Sequence, residues 1–153
     1  MLAIKIYRIS NFLYERKIPL IPKLLVYLNY FLFNSFIPAS TKIGEQSKFA
    51  YGGIGVVLHS KAIIGSRCII GQGITIGRKL SSVGVPTIGD DVYIAAGSRL
   101  LGNIKIGNNV IIGANSVVVH DVPDNCIVAG SPAKVVRNID VSIYELMDGL
   151  FEI

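Results

Sequence analysis

A six-residue repeat of aliphatic side chains constrains this chain more than any other feature. Aliphatic or aromatic residues recur at Ile37, Ile43 and Phe49, and after a phase slip at Leu58, Ile64, Ile70 and Ile76. They resume at Ile88, Ile94, Leu100, Ile106, Ile112 and Val118. Glycine often follows, as at Gly44, Gly65, Gly71, Gly77, Gly89, Gly107 and Gly113, and a small or aliphatic residue such as Ser47, Ala62, Cys68 or Val92 comes four places after the aliphatic one. A helix would need spacings of three and four, and a sandwich with chance spacing would not hold phase over ten hits. The pattern predicts an all-β solenoid in which each hexad is a short strand and a turn, and three hexads close one triangular coil. Glycine is expected to supply turn angles that other residues resist.

At eighteen residues per coil, Leu58, Ile76, Ile94 and Ile112 are expected on one face, Ile64, Leu100 and Val118 on a second, and Ile70, Ile88 and Ile106 on the third. The stretch from Arg78 to Pro86 has no proper hexad and is expected to leave the coil as an exposed loop. A solenoid needs capped ends. Residues 1–36 read as one or two helices split by the Pro19 to Pro22 turn, and Ser142 to Ile153 as a short amphipathic helix. The expected organisation is a helical cap over 1–36, a β-helix over 37–138 and a helical tail over 139–153.

Mean hydropathy is +0.55, which raises the question of a membrane protein. The longest apolar stretch, Leu24 to Ile37, is interrupted by Asn29 and Asn34 and is too short to span a bilayer comfortably. It reads as a packed helix that rests in an assembly or on a membrane surface. Charged residues ahead of it, including Lys5, Arg8 and Glu15, do not suit a secretory signal, so a cytoplasmic protein is expected. Cys68 and Cys126 give neither metal spacing nor a disulfide framework and read as small buried residues. The net charge of +5 suits a polyanionic cofactor, and the absence of basic runs argues against a nucleic-acid partner.

The Ile-Gly hexads are joined by Ala95-Ala96-Gly97-Ser98-Arg99-Leu100-Leu101-Gly102-Asn103, by Ile112-Gly113-Ala114-Asn115-Ser116, and by Ala129-Gly130-Ser131-Pro132-Ala133-Lys134. This resembles the hexapeptide-repeat acyltransferases, and among them the small serine-acetyltransferase-like enzymes of surface polysaccharide synthesis. The resemblance covers about residues 37–138. It implies a left-handed parallel β-helix, a homotrimer with sites between subunits, an acetyl-CoA donor, no metal, and transfer without an acyl-enzyme.

The resemblance also implies a histidine that takes the proton from the acceptor hydroxyl. An imidazole can do so near neutral pH, contributing about 10² to 10⁴ in rate. The chain has two histidines. His59 follows the inward Leu58, and Gly77, Ala95 and Gly113 are expected at the same slot in later coils, leaving open surface beside it; His120 reads as a solvated residue at the end of the last coil. The pantetheine arm is expected along Gly77, Ala95, Gly97 and Ala114, the adenine against Gly130, Ser131 and Pro132, and the phosphates near Lys134 and Arg137, with Arg78 and Lys79 as weaker candidates. Tyr51 and Gly52 are expected to meet the acceptor. Serine acetyltransferases carry a longer helical region ahead of the β-helix, one histidine where this chain has Tyr51 or Gly52, and another where it has Val85. On those departures a sugar hydroxyl is the expected acceptor and serine the alternative. A γ-type carbonic anhydrase would need three histidine ligands. A non-catalytic scaffold, an amine acceptor and a nucleophilic Cys68 are the other readings.

Overall fold

The structure, a computed structural model, describes residues 2–80 and 83–147. Short strands, mostly of two or three residues, stack in parallel from coil to coil and make three sheets. The first contains Lys42–Ile43, Ile63–Ile64, Thr87–Ile88 and Lys105–Ile106. The second contains Lys48–Phe49, Ile69–Ile70, Val92–Ile94, Val110–Ile112 and Cys126–Gly130, and the third Val57–Leu58, Thr75–Gly77, Arg99–Leu101 and Val117–Val118. The repeat aliphatics Ile64, Ile70, Ile76, Ile88, Ile94, Leu100 and Ile112 are all within 2% of complete burial and form one continuous core. This is a left-handed parallel β-helix.

The expected faces hold only as far as the loop. Ile76 pairs with Leu100, Ile64 with Ile88, and Ile70 with Ile94, each separated by twenty-four residues. The loop after Gly77 therefore uses up one hexad, and every later residue moves on by one face. Ile94 and Ile112 belong with Ile70, and Leu100 and Val118 belong with Leu58 and Ile76. Sequence phase survives an insertion of six residues unchanged, so it cannot show the rotation.

The glycines also differ from expectation. The hexad glycines Gly44, Gly65, Gly71, Gly89, Gly107 and Gly113 are absent from the left-handed backbone region; in their turns it is occupied two positions later, by Gln46, Arg67, Gly73, Asp91, Asn109 and Asn115. The glycines are required because neighbouring coils touch them. A Cβ on Gly44 would sit 2.5 Å from the backbone of Gly65 and Ser66. At the same corner, side chains satisfy the turn amides of the coil below: Asp90 accepts from the Ser66 N–H, Asn108 from that of Asp90, and Asp124 from that of Asn108.

Helices α1 (Leu2–Glu15) and α2 (Ile21–Phe33) close the first coil. On α1, Ala3, Ile6, Tyr7 and Ser10 are buried at spacings of three and four, and Ala3 and Tyr7 join the solenoid core. The Tyr7 hydroxyl donates to the Thr41 carbonyl, and the buried Asn29 amide of α2 donates to Ala3. Asn34 adopts left-handed angles and ends α2.

At the other end the chain reverses. Ala133–Asn138 pairs antiparallel with Cys126–Gly130, an element the hexad reading did not contain. The following segment lies across the outside of the second sheet, where Ile139, Ile143 and Met147 form a second apolar cluster with Ile69. Of the expected tail helix, Ile143–Leu146 (α3) is present with Ser142 as its N-cap, and residues 148–153 lie outside the described residues. The Tyr144 hydroxyl donates to the Arg67 carbonyl, beside the Arg67–Asp91 ion pair.

Candidate active site

His59 lies at the corner that follows the third sheet, and its amide donates to the Ile76 carbonyl of the next coil. The residues stacked along that corner are Gly77 and then Leu101, paired with each other across the sheet. Ala95 and Gly113, expected beside His59, instead follow the second sheet, because of the rotation at the loop.

The imidazole lines a cavity of about 240 Å³ with Lys61, Arg78, Val83, Gly84 and Val85. Lys61 was missed in the sequence; its only signal is its place two residues after His59. Arg78, Val83, Gly84 and Val85 are the loop's contribution to it, and Val83 and the nearby Leu80 stand almost fully in solvent. The surface of this cavity is almost wholly apolar, so Lys61 and Arg78 line it chiefly with their aliphatic stems.

The His59 Nδ1 accepts a 3.1 Å hydrogen bond from the Lys61 backbone N–H. In the neutral ring this places the proton on Nε2, which then donates rather than accepts. For Nε2 to take a proton, the ring must release Lys61 and carry its own proton on Nδ1. No carboxylate lines this cavity among the described residues.

The expected cofactor residues form two groups. Ala95, Gly97 and Ala114 lie in consecutive turns between the second and third sheets, and the Gly130 amide reaches the Ser116 hydroxyl of the same column. Gly130, Ser131 and Pro132 make the exposed turn between the antiparallel strands, with Lys134 and Arg137 exposed on the second of them. Ala95 is buried and its amide is spent on Ile112, so the accessible residues of that turn are Ala96 and Gly97. Gly77 stands apart, beside His59 at the opposite edge of the third sheet. Tyr51 and Gly52 lie in a short 3₁₀ turn, Ala50–Gly53, ahead of that sheet, and do not line the His59 cavity. His120 is exposed at the end of the last coil.

Burial pushes the Cys68 thiol up to about 11, and its Sγ packs against the Gly89 carbonyl. A buried, protonated thiol is a poor nucleophile. The folded protein at neutral pH is expected to leave Cys68 unmodified by iodoacetamide while the urea-unfolded chain reacts; alkylation in the native state would restore the nucleophile reading. No group of three or more histidine, cysteine or acidic residues suited to a metal occurs among the described residues.

Comparison with known proteins agrees with this architecture. Residues 86–120 match the family described as bacterial transferase hexapeptide (six repeats). A serine acetyltransferase of Synechococcus elongatus is 41% identical over 143 residues, which are 92% of this chain and 58% of that protein. One from Staphylococcus aureus is 37% identical over 148 residues, covering 95% of this chain and 69% of that protein. The crystal structure of serine acetyltransferase in complex with coenzyme A from Brucella abortus strain S19 superposes with a TM-score of 0.85 at 30% identity, over 92% of this chain and 56% of that one. The chain thus spans little more than half the length of several of the proteins it matches.

Proposed function

The chain belongs to the serine acetyltransferase family, and from that premise we propose that it transfers the acetyl group of acetyl-CoA to the hydroxyl of a small carboxylate-bearing acceptor, with serine the first choice. The observation that carries the choice is the likeness to proteins named serine acetyltransferases, which runs through almost the whole chain. Lys61 and Arg78 line the cavity beside His59, and in this reading their flexible side chains turn inward to meet the acceptor carboxylate, a group that a neutral sugar lacks. The sugar acceptor expected from the sequence is replaced because the similar proteins are named serine acetyltransferases.

In this reading His59 takes the hydroxyl proton as the acceptor oxygen attacks the thioester carbonyl, and the CoA thiolate leaves. The exposed column through Gly97, Ala114 and Gly130 takes the extended arm of CoA, with Lys134 and Arg137 near its phosphates. That column and His59 sit at opposite edges of one sheet. The separation suits a homotrimer in which one subunit supplies the column and its neighbour the histidine, with Leu80 and Val83 of the loop covered at the contact. An acetyl-CoA donor also suits the expected cytoplasmic location.

The test is thiol release from acetyl-CoA by the purified protein, with serine, hexoses, amino sugars and nucleotide sugars as acceptors and CoA binding measured in parallel. Serine-dependent release is expected, with Lys61→Ala and Arg78→Ala each raising the serine KM about tenfold, the loss of roughly one charge-assisted hydrogen bond. Release with hexoses alone would return the acceptor to a sugar. A protein that does not bind CoA would be a scaffold.

A further inference from the structure

Helix α2 carries two apolar stripes, and the protein uses only one. Pro22, Val26 and Asn29 are buried against α1 and the first coil. On the other side Leu24, Tyr27, Leu28 and Phe31 form a second stripe at helical spacing, with Leu24 64% and Phe31 81% exposed, and Leu20, just ahead of the helix, is 75% exposed. A helix apolar on every side normally has both faces covered. The stripe adjoins a cleft of about 340 Å³, mostly apolar, between the two helices and the first coil.

Leu20 itself sits at the tip of the helical hairpin with φ 66° and ψ −50°, in a turn closed by the Ile21 N–H on the Pro19 carbonyl. That positive-φ γ-turn is rare and strained for a leucine. It holds a large aliphatic side chain out at the extremity of the cap.

Charge identifies the occupant. Residues 1–44 hold six cations, Lys5, Arg8, Arg16, Lys17, Lys23 and Lys42, against one acid, Glu15. The other nine cations are balanced by nine acids, so the chain's entire net charge of +5 belongs to the cap and the start of the first coil. Arg16, Lys17 and Lys23 are exposed around the hairpin tip, next to Leu20 and Leu24. A second copy docked through the same face would bring these like charges together. An anionic lipid surface would attract them while accepting the apolar stripe, and tyrosine and phenylalanine suit the interfacial zone of a bilayer. No helix among the described residues is long and apolar enough to cross a membrane, so the contact lies in the interface plane.

We propose that the helical cap docks on an anionic membrane surface, with Leu20, Leu24 and Phe31 inserted among the headgroups and Arg16, Lys17 and Lys23 on lipid phosphates. The inference stands apart from acetyl transfer and needs no substrate to test.

The experiment floats the intact protein with vesicles of phosphatidylcholine alone or mixed with phosphatidylglycerol. Strong binding to the mixed vesicles and weak binding to phosphatidylcholine are expected, with loss of binding as salt is raised. Each cation near such a surface contributes about fivefold to partitioning, so Arg16→Glu/Lys17→Glu/Lys23→Glu should weaken it by at least about 100-fold. Leu24→Ser/Phe31→Ser should abolish retention, and these exposed positions leave the circular dichroism spectrum unchanged. A wild type that stays free of the mixed vesicles overturns the proposal. If the Leu24→Ser/Phe31→Ser variant then changes its oligomeric state in solution, the stripe is an interface between copies.

Discussion

Replacing Gly65 with alanine is expected to lower the free energy of unfolding by at least about 3 kcal/mol, the upper end of the usual cost of overpacking. The new methyl would sit 2.5 Å from the carbonyl carbon of Gly89, the equivalent residue one coil on. Neither backbone can yield, because the Gly65 amide donates to Ile88 and the Gly89 amide to Ile106, each at 2.9 Å. A domain whose whole stability is about 5–15 kcal/mol cannot absorb such a change without a measurable unfolded fraction. Gly77 is the control. A Cβ there meets nothing within 4 Å, so Gly77→Ala should leave the urea midpoint within the scatter of a neutral substitution. Equal midpoints for the two variants would mean that the coils shift to admit the methyl and that close approach does not require the glycine.

That contrast also marks what the sequence could reveal. Six-residue phase identifies inward side chains because burial depends on period alone, and Leu58, Ile70 and Ile94 are buried as the period requires. The reason for the glycines was not legible, since close approach between coils and left-handed angles both select glycine. Only coordinates place the left-handed angles two residues on, at Gln46, Arg67 and Asn109. The rotation of faces at the loop had the same cause: a whole hexad absorbed by the loop leaves the phase intact. It moved Ala95 and Gly113 away from His59 and put the loop over the imidazole. Lys61 escaped notice for a related reason. It is an exposed turn lysine with no motif around it, and it gains meaning only when Arg78 and Val85 fold back over the same cavity. The antiparallel strand Ala133–Asn138 lies beyond the last hexad, and its residues were read for cofactor chemistry alone.

His59→Ala is expected to lower kcat/KM for acetyl transfer by about 10² to 10⁴ while CoA binding stays at the wild-type level. The size follows from chemistry. A hydroxyl attacking a thioester must lose its proton, and among the described residues His59 is the one side chain lining its cavity that can accept it. Lys61 and Arg78 are cations at neutral pH, and Val83 and Val85 are aliphatic. The hydrogen bond from the Lys61 N–H to Nδ1 stands against this role as long as it is kept, since it holds the proton on Nε2. It is a single bond from a backbone amide to a half-buried ring, and giving it up costs about 1 kcal/mol once water takes the amide. Binding of an acceptor that hydrogen-bonds the ring would offset that cost. His59→Gln separates the two states of the ring. Glutamine keeps an N–H donor near the Nε2 position and has no basic nitrogen. If His59 is the base, the glutamine variant is as inactive as the alanine one. If glutamine retains most of the wild-type rate, Nε2 works as a donor to the acceptor or the thioester oxygen, the resting hydrogen bond is the catalytic one, and the base must come from another residue.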